Sequence, residues 1–243
     1  MNNKELKRRI IEISYKKKLS HIGSCLTAVD IIDEIFQTKK PGEKFILSSG
    51  HAGLALYVVL EKYQEPYRKS AEEMFDHHGV HPDRCISCGI DCSAGSLGHG
   101  LGIAVGIALA DRSKNVYCLI SDGEITEGSI WEALRIAAEE KLSNLIVIVN
   151  HNGWGAYGES SSYYFSALHA LYYTVKYETG RIKTQKRYLL EEINKKRYYH
   201  PLFIVASTAI YPTGTYPTWL QGQLAHYKVM NEEEYKKALE VIG

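Results

Sequence analysis

The sequence has no long hydrophobic run and no excess of charge of either sign, and both absences exclude classes of function. Its longest uninterrupted aliphatic stretch covers residues 145–149, far below the roughly 20 residues that a membrane-spanning helix needs. The Lys-rich start lacks the apolar stretch of a secretory signal peptide. Because 29 Lys and Arg stand against 28 Asp and Glu, no strong field attracts nucleic acid or an anionic membrane. We therefore expect a soluble, cytoplasmic protein that binds neither.

Cysteine and proline are also scarce, and no low-complexity segment, repeat or Pro/Ser-rich linker divides the chain. The five cysteines are irregularly spaced in 243 residues, a pattern that favours reduced thiols over a disulfide framework. The chain is 45% hydrophobic, which is enough to bury one large core and too little for several domains. We expect a single domain over residues 1–243.

Short aliphatic runs alternate with segments of helical period, and this rhythm predicts the fold class. The runs at residues 44–47, 115–120, 144–149 and 202–206 are typical of buried strands. Residues 26–37 and 127–140 have apolar positions at helical spacing, and Thr27 followed by Asp30 predicts a capping box at the start of the first helix. Strands alternating with helices predict an α/β fold, a parallel sheet with helices on both faces.

Polar side chains and glycines follow three of the predicted strands. They are Ser48 to His51, Ser121 to Glu124 and Asn150 to Gly153. Ligands of open parallel sheets bind at the carboxyl ends of the strands, and a right-handed crossover brings Asp122 and Asn152 to one edge. Their oxygens suit Mg²⁺, and the adjacent glycines leave room for a diphosphate. Alternatively, each Asp-Gly or Asn-Gly pair is an ordinary turn.

Several motifs in chain order resemble one enzyme family. Asp122-Gly123-Glu124 followed, 30 residues after Asp122, by Asn152-Gly153 resembles the diphosphate-and-metal motif of thiamine diphosphate enzymes in its transketolase form. The further matches are Ser20-His21-Ile22-Gly23, Ser48-Ser49-Gly50-His51, His81-Pro82-Asp83, Gly95-Ser96-Leu97-Gly98-His99-Gly100 and His226-Tyr227-Lys228. The resemblance covers roughly residues 5–240, and it implies the diphosphate-binding domain of the thiamine diphosphate-binding fold.

The resemblance implies roles for particular residues. It implies a magnesium ion held by the side chains of Asp122 and Asn152 and the backbone carbonyl of Trp154. It implies cofactor contacts from His51, Gly95, Ser96, Leu97, Gly123, Glu127, Asn152 and His226, with Glu127 at a subunit junction. It implies that four histidines move protons or face sugar hydroxyls, namely His21, His51, His81 and His226, and imidazoles suit proton transfer near neutral pH.

The resemblance also implies an activity and a partner. The activity is transfer of a two-carbon ketol unit from a ketose phosphate to an aldose acceptor, with thiamine diphosphate and Mg²⁺. In this family the glutamate that activates the cofactor lies in a pyrimidine-binding domain of the opposing protomer, and we expect that domain on a separate chain. The resemblance thus implies the N-terminal subunit of a split transketolase, which is active only with a pyrimidine-binding and C-terminal subunit in a two-plus-two assembly.

Two departures from the family pattern keep another hypothesis open. Ser121 stands where the family has glycine, and residues 207–214 lack the usual Lys/Gly-rich loop. The alternative is a noncatalytic or differently specialised thiamine diphosphate-binding partner subunit in sugar biosynthesis.

Two rival sites compete with this interpretation. A dense set of soft ligands could bind zinc: His77, His78, His81, Cys85, Cys88 and Cys92. It is more compact than the separated pairs of most structural zinc sites. The glycines from Gly100 to Gly106 loosely match a dinucleotide fingerprint, but no predicted strand precedes them, which disfavours nicotinamide binding.

Overall fold

Helices and strands alternate along most of the chain in a computed structural model, which describes residues 1–63, 69–155, 158–171, 174–178, 200–207, 218–220, 222 and 224–242. The helices are α1 (Asn3–Lys17), α2 (Ile22–Thr38), α3 (Gly53–Tyr63), α4 (Ala71–His78), α5 (His99–Ala110), α6 (Gly128–Glu139), α7 (Ser162–Leu171), α8 (Leu224–Tyr227) and α9 (Glu232–Ile242). The strands are β1 (Lys44–Leu47), β2 (Val116–Ser121), β3 (Leu145–His151), β4 (Trp154–Gly155), β5 (Gly158–Glu159), β6 (Thr174–Glu178) and β7 (Leu202–Ser207).

Five strands form one parallel sheet in the order β1-β2-β3-β7-β6. All four predicted strands are present, and their ends differ from the prediction by at most two residues. The register places Ser121 at the end of β2 opposite Asn150 of β3, so the polar segments after these strands leave the same edge. The sequence did not predict β6, nor the antiparallel pair of β4 and β5.

Each face of the sheet is covered by its own apolar layer. Along β2, Tyr117 and Leu119 face one layer, which includes residues of α1, α2, α3 and α9. The alternate residues Val116, Cys118 and Ile120 face the other layer, which includes residues of α5 and α6. Strands buried on both faces carry continuous apolar runs because neither side meets water. The predicted α/β class with helices on both faces is confirmed.

The start of α2 differs from the prediction. The helix begins at Ile22, His21 is its N-cap residue with φ of 58°, and Thr27 lies inside it. The Thr27 hydroxyl is 3.0 Å from the Gly23 carbonyl oxygen, and the expected partner Asp30 pairs with Lys7 at 2.6 Å instead. The predicted capping box is therefore wrong, because a threonine hydroxyl can bond to the preceding helical turn as well as cap a helix. The other predicted helix is α6, with Glu127 as its N-cap residue.

The cysteines divide into two groups. Cys85 and Cys88 are joined by a disulfide, so the expectation of reduced thiols is wrong for this pair. A short turn at Ile86–Cys88 brings their Cα atoms to 5.2 Å, within the range of a disulfide. Cys25, Cys92 and Cys118 are free and buried.

Among the described helices, none has the length and apolar character needed to cross a membrane.

Candidate functional site

The carboxyl ends of β1, β2 and β3 meet around a cavity that is open to solvent. Seven of the predicted catalytic, cofactor-binding and metal-binding residues line it: His51, Leu97, Asp122, Gly123, Asn152, Trp154 and His226. Ser49 follows β1, Ser121 ends β2 and Asn150 belongs to β3, and all three also line the cavity. The cavity therefore lies where parallel sheets place their ligands.

Asp122 joins the loops that follow β2 and β3. Its carboxylate accepts hydrogen bonds from the backbone N–H of Gly123 at 3.0 Å and of Gly153 at 2.7 Å. The side chain is only 2% exposed. Burial raises the Asp122 pKa to about 6, although the backbone donors act in the opposite direction. No lysine or arginine forms an ion pair with this carboxylate in the described parts of the chain, so its charge lacks a compensating cation.

Asn152 and Trp154 supply further oxygens beside Asp122. The Asn152 side-chain oxygen accepts the Trp154 N–H at 2.9 Å, and this contact shapes the turn into β4. Both residues line the same cavity as Asp122. A carboxylate, an amide oxygen and a backbone carbonyl are hard donors of the kind that Mg²⁺ takes in proteins. A buried carboxylate without a cationic partner is costly, so this donor set fits a divalent ion.

Three histidines pack together at one side of the cavity. The ring centroid of His21 lies 4.7 Å from that of His226 and 5.3 Å from that of His51, and those of His51 and His226 are 5.5 Å apart. The His21 backbone N–H donates to the His226 carbonyl at 2.9 Å, which ties the start of α2 to α8. The cluster thus joins three segments that are distant in sequence.

Burial keeps these histidines neutral. It lowers the pKa of His51 to about 3 and of His21 to about 4, with neighbouring imidazoles adding to the effect. Burial also lowers the pKa of His226. At pH 7 each ring therefore has one N–H donor and one acceptor nitrogen. Such rings can accept a hydrogen bond from a hydroxyl group and donate another.

Other predicted site residues lie outside the cavity lining. His81 is exposed, and a methyl group added at Gly95 would lie 3.7 Å from its ring, so the imidazole rests against that backbone. Ser96 is exposed and Glu127 is half-buried. Of the predicted cofactor wall, only Leu97 lines the cavity.

Glu124 organises the site, and its role was not predicted. Its fully buried carboxylate accepts hydrogen bonds from the Ser48 hydroxyl, the Gly98 N–H at 2.8 Å and the Ser121 N–H at 2.8 Å. One side chain thus connects the ends of β1 and β2 with the loop before α5. The available signal was an acidic residue two positions after Asp122 at a strand end.

Ser121 and Asn150 are also part of the structure around the cavity. The Ser121 hydroxyl accepts the Glu124 N–H at 3.3 Å, so the serine at this family glycine position belongs to the Glu124 network. The Asn150 amide donates to the Thr27 hydroxyl at 2.9 Å and connects β3 to α2. A polar residue ending an apolar strand was the signal for Asn150.

The two rival sites are changed by the fold. Gly100, in the first turn of α5, packs closely against Ser48, the residue after β1. A methyl group at Gly100 would lie 2.6 Å from the Ser48 Cα, so close packing accounts for this glycine. The soft-ligand set separates, since Cys92 belongs to the apolar layer under α5 and α6 while His78 stays near Cys85 and Cys88. Within the altered loop at 207–214, residues 208–214 lie outside the described residues.

The sequence matches a known domain family and named relatives. The family described as "Transketolase, thiamine diphosphate binding domain" matches residues 11–240. The chain is 32% identical over 171 residues to an apulose-4-phosphate transketolase subunit from Phocaeicola vulgatus, covering 63% of this chain and 60% of that one. It is 36% identical over 157 residues to human transketolase, covering 56% of this chain and 24% of the human protein. The chain thus spans less than two thirds of either relative.

Solved structures share the fold. A transketolase from Campylobacter jejuni superposes with a TM-score of 0.77 at 24% identity, covering 100% of this chain and 43% of that one. A mutant transketolase from Pichia stipitis gives a TM-score of 0.79 at 22% identity, covering 99% and 40%.

Proposed function

Because this chain belongs to the transketolase family through its thiamine diphosphate-binding domain, we propose that it takes part in two-carbon ketol transfer from a ketose phosphate to an aldose acceptor. In this proposal, residues 1–243 form one diphosphate-binding domain. The observation that carries the proposal is the convergence of Asp122, Asn152 and Trp154 in one cavity with His51 and His226, against which the His21 ring packs.

Within this proposal, the loops after β2 and β3 hold the metal and the cofactor diphosphate. Asp122 and Asn152 bind Mg²⁺ through side-chain oxygens, and Trp154 binds it through its carbonyl. The diphosphate lies near His51, Gly123 and His226, while Gly95, Ser96, Leu97 and Glu127 stand farther along the cofactor. When bound, thiamine diphosphate supplies a carbon nucleophile for breaking and forming bonds beside a carbonyl.

The histidines hold and move protons in this proposal. His21 Nδ1 is buried and has no hydrogen-bond partner among the residues that the structure describes, so it is available to a substrate hydroxyl. His51 and His226 lie in ring contact with His21 and can relay a proton within the cluster. His81, outside the cavity lining, faces the incoming sugar. At pH 7 a neutral ring accepts a hydrogen bond from a hydroxyl group at one nitrogen and donates one through its N–H.

We propose that a separate pyrimidine-binding and C-terminal subunit completes the enzyme, with two copies of each chain. Support comes from the Phocaeicola vulgatus relative, which is itself named as a transketolase subunit, and from the outward face of α5. That face is exposed and apolar or small at Gly102, Ile103, Gly106, Leu109 and Ala110. Exposed apolar helix faces mark interaction surfaces.

We propose the cytoplasm as the compartment, because charged sugar phosphates do not cross membranes freely.

The test is ketol transfer by the purified chain mixed with its candidate partner, Mg²⁺ and thiamine diphosphate. Asp122→Ala should reduce turnover at least a hundredfold and weaken cofactor binding in calorimetry. The matched control Asp111→Ala removes a carboxylate at the end of α5 and should change neither quantity. Wild-type turnover and cofactor affinity in Asp122→Ala would refute the proposal. Cofactor binding without turnover would favour the noncatalytic alternative.

A further inference from the structure

A second cluster of metal-ligating side chains lies at the end of α4, away from the cavity. A ring nitrogen of His78 and the sulfur atoms of Cys85 and Cys88 lie within 4.8 Å of one another. His78 is the last residue of α4, while Cys85 precedes the short turn at Ile86–Cys88 and Cys88 ends it. Two sulfurs and an imidazole in this spacing are ligands that zinc prefers.

The turn presents both sulfurs in a defined geometry. Cys85 and Ile90 exchange two backbone hydrogen bonds of 2.9 Å each, and the Cys88 N–H donates to the Cys85 carbonyl at 3.1 Å. Gly89 follows with φ of 77° and ψ of 17°, a left-handed conformation that favours glycine. A Cys-x-x-Cys-Gly turn of this kind directs both sulfurs to one side, which is the spacing of paired zinc ligands.

A disulfide alone leaves one feature of this cluster unexplained. The Nε2 atom of His78 is buried and has no hydrogen-bond partner in the described residues. A buried polar atom without a partner is costly, and a bound metal satisfies such a nitrogen. A neutral imidazole binds a metal through its lone pair. Lys69 Nζ lies 3.8 Å from the Cys88 sulfur, where its charge favours the thiolate.

We propose that His78, Cys85 and Cys88 form a zinc site when the cysteines are reduced. The sulfurs are bonded to each other in the structure, so a reductant first breaks this bond: a phosphine supplies two electrons and becomes the phosphine oxide, while water supplies the oxygen and the two thiol protons. Zinc then replaces the two thiol protons, which pass to solvent. Two thiolates balance the charge of Zn²⁺, and water takes the fourth position. The sulfurs rotate apart to the roughly 3.3–3.8 Å that tetrahedral ligands need.

The site would fix the segment that leads to the cavity. The chain between α4 and α5 carries His81 and Gly95, and the Ala94 N–H donates to the Pro82 carbonyl at 2.9 Å. A metal joining the end of α4 to the Cys85–Cys88 turn would hold the part of this stretch that carries His81. Zinc at this position would not take part in ketol transfer, because none of its three ligands lines the cavity.

The experiment measures metal content of the whole chain after reduction by a phosphine, incubation with Zn²⁺ and excess Mg²⁺, and gel filtration. We expect about one zinc per chain in wild type and less than a fifth of that in Cys85→Ser and Cys88→Ser. His78→Ala should weaken zinc affinity at least tenfold. Cys92→Ser removes a neighbouring buried thiol outside the cluster and should retain the zinc.

A cobalt titration identifies the ligands independently of stoichiometry. Co²⁺ bound by thiolates gives an intense near-ultraviolet charge-transfer band, which imidazole or carboxylate sites lack. We expect this band in reduced wild type and Cys92→Ser and its loss in Cys88→Ser. Equal zinc content in the cysteine variants, or cobalt binding without the band, would overturn the zinc site. Far-ultraviolet circular dichroism confirms that each variant is folded, so a lost site is not an unfolded chain.

Discussion

The charge of His21 and His51 depends on burial, and this makes the stability of the chain depend on pH. Both folded-state pKa values, about 4 and about 3, lie below the unfolded value of about 6.5. Below pH 6.5 these two histidines therefore bind protons in the unfolded chain but stay unprotonated in the folded chain. Their contribution to stability is complete above pH 6.5 and is lost as the pH falls toward 4.

We expect the free energy of unfolding to fall between pH 7 and pH 5 by about 1.4 kcal/mol per pH unit for each such histidine once the unfolded imidazole is fully protonated. Urea denaturation at several pH values measures this slope. His51→Asn should reduce this slope by the contribution of one histidine, about 1.4 kcal/mol per pH unit. His77→Asn, at an exposed residue of α4, is the control, and equal slopes in His51→Asn and wild type would contradict the assignment.

Glu124 gives a second prediction at the residue scale. Glu124→Gln keeps the side-chain shape but turns an NH₂ group toward the Ser48, Gly98 or Ser121 donors, so at least one buried donor loses its acceptor. We expect a loss of about 1–3 kcal/mol in the free energy of unfolding by urea. Glu132→Gln, which removes an exposed pairing with Arg135, should stay within about 0.5 kcal/mol. Equal stability of the two variants would show that the Glu124 network is unimportant.

Local pattern predicted some site residues and missed others for a physical reason. Asp122 and Asn152 could be predicted because each directly follows a strand and parallel strands share an edge. The role of Glu124 could not, because its donors Ser48 and Gly98 lie 76 and 26 residues away. Hydrogen bonds between distant loops leave no periodic trace in the sequence.

At the scale of elements, the contact between α5 and the residue after β1 depends on Gly100, which has no side chain. A methyl group at Gly100 would lie 2.6 Å from the Ser48 Cα, whereas one at Gly102 of the same helix meets nothing within 4 Å. Gly100→Ala should therefore destabilise the chain by about 1–3 kcal/mol through overpacking. Gly102→Ala should stabilise it by about 0.5–1 kcal/mol through helix propensity. Thermal unfolding measures both, and equal effects would contradict the close contact.

Helix interiors were predicted better than helix ends. Apolar spacing indicated α2 and α6 because burial repeats with the helical period. The start of α2 was misplaced, since Thr27 and Asp30 match a capping box in sequence while their side chains bond to Gly23 and Lys7. Which of these bonds forms depends on tertiary neighbours. The β6 strand was missed because its Tyr- and Lys-rich surroundings lack the aliphatic run of the other strands.

At the scale of the whole molecule, the outward face of α5 determines how the chains associate in our proposal. Ile103 is 44% exposed there, and Val241 of α9 is 42% exposed elsewhere. Ile103→Lys should abolish association with the partner subunit while far-ultraviolet circular dichroism stays unchanged, because a buried unpaired charge at an interface is costly. Val241→Lys is the control and should associate normally. Sedimentation velocity of the mixture measures both, and unimpaired assembly of Ile103→Lys would rule out this face.

The sequence predicted the class of the sheet and the direction of its strands, but not the order of all its strands. Strand alternation predicted the class and the parallel direction, because both follow from local pattern and the crossover rule. The position of β7 between β3 and β6 depends on which apolar faces meet in three dimensions, and no single segment encodes that choice.

The buried Glu124 carboxylate has a consequence for the thermodynamics of ligand binding. Because the ends of β1 and β2 and the loop before α5 already bind this carboxylate in the folded chain, these segments are ordered before an anion binds. Isothermal calorimetry of pyrophosphate with Mg²⁺ should therefore give a small heat-capacity change, unlike the large negative value of a segment that folds around its ligand. The segments bound to Glu124 would then keep the same conformation with and without the anion.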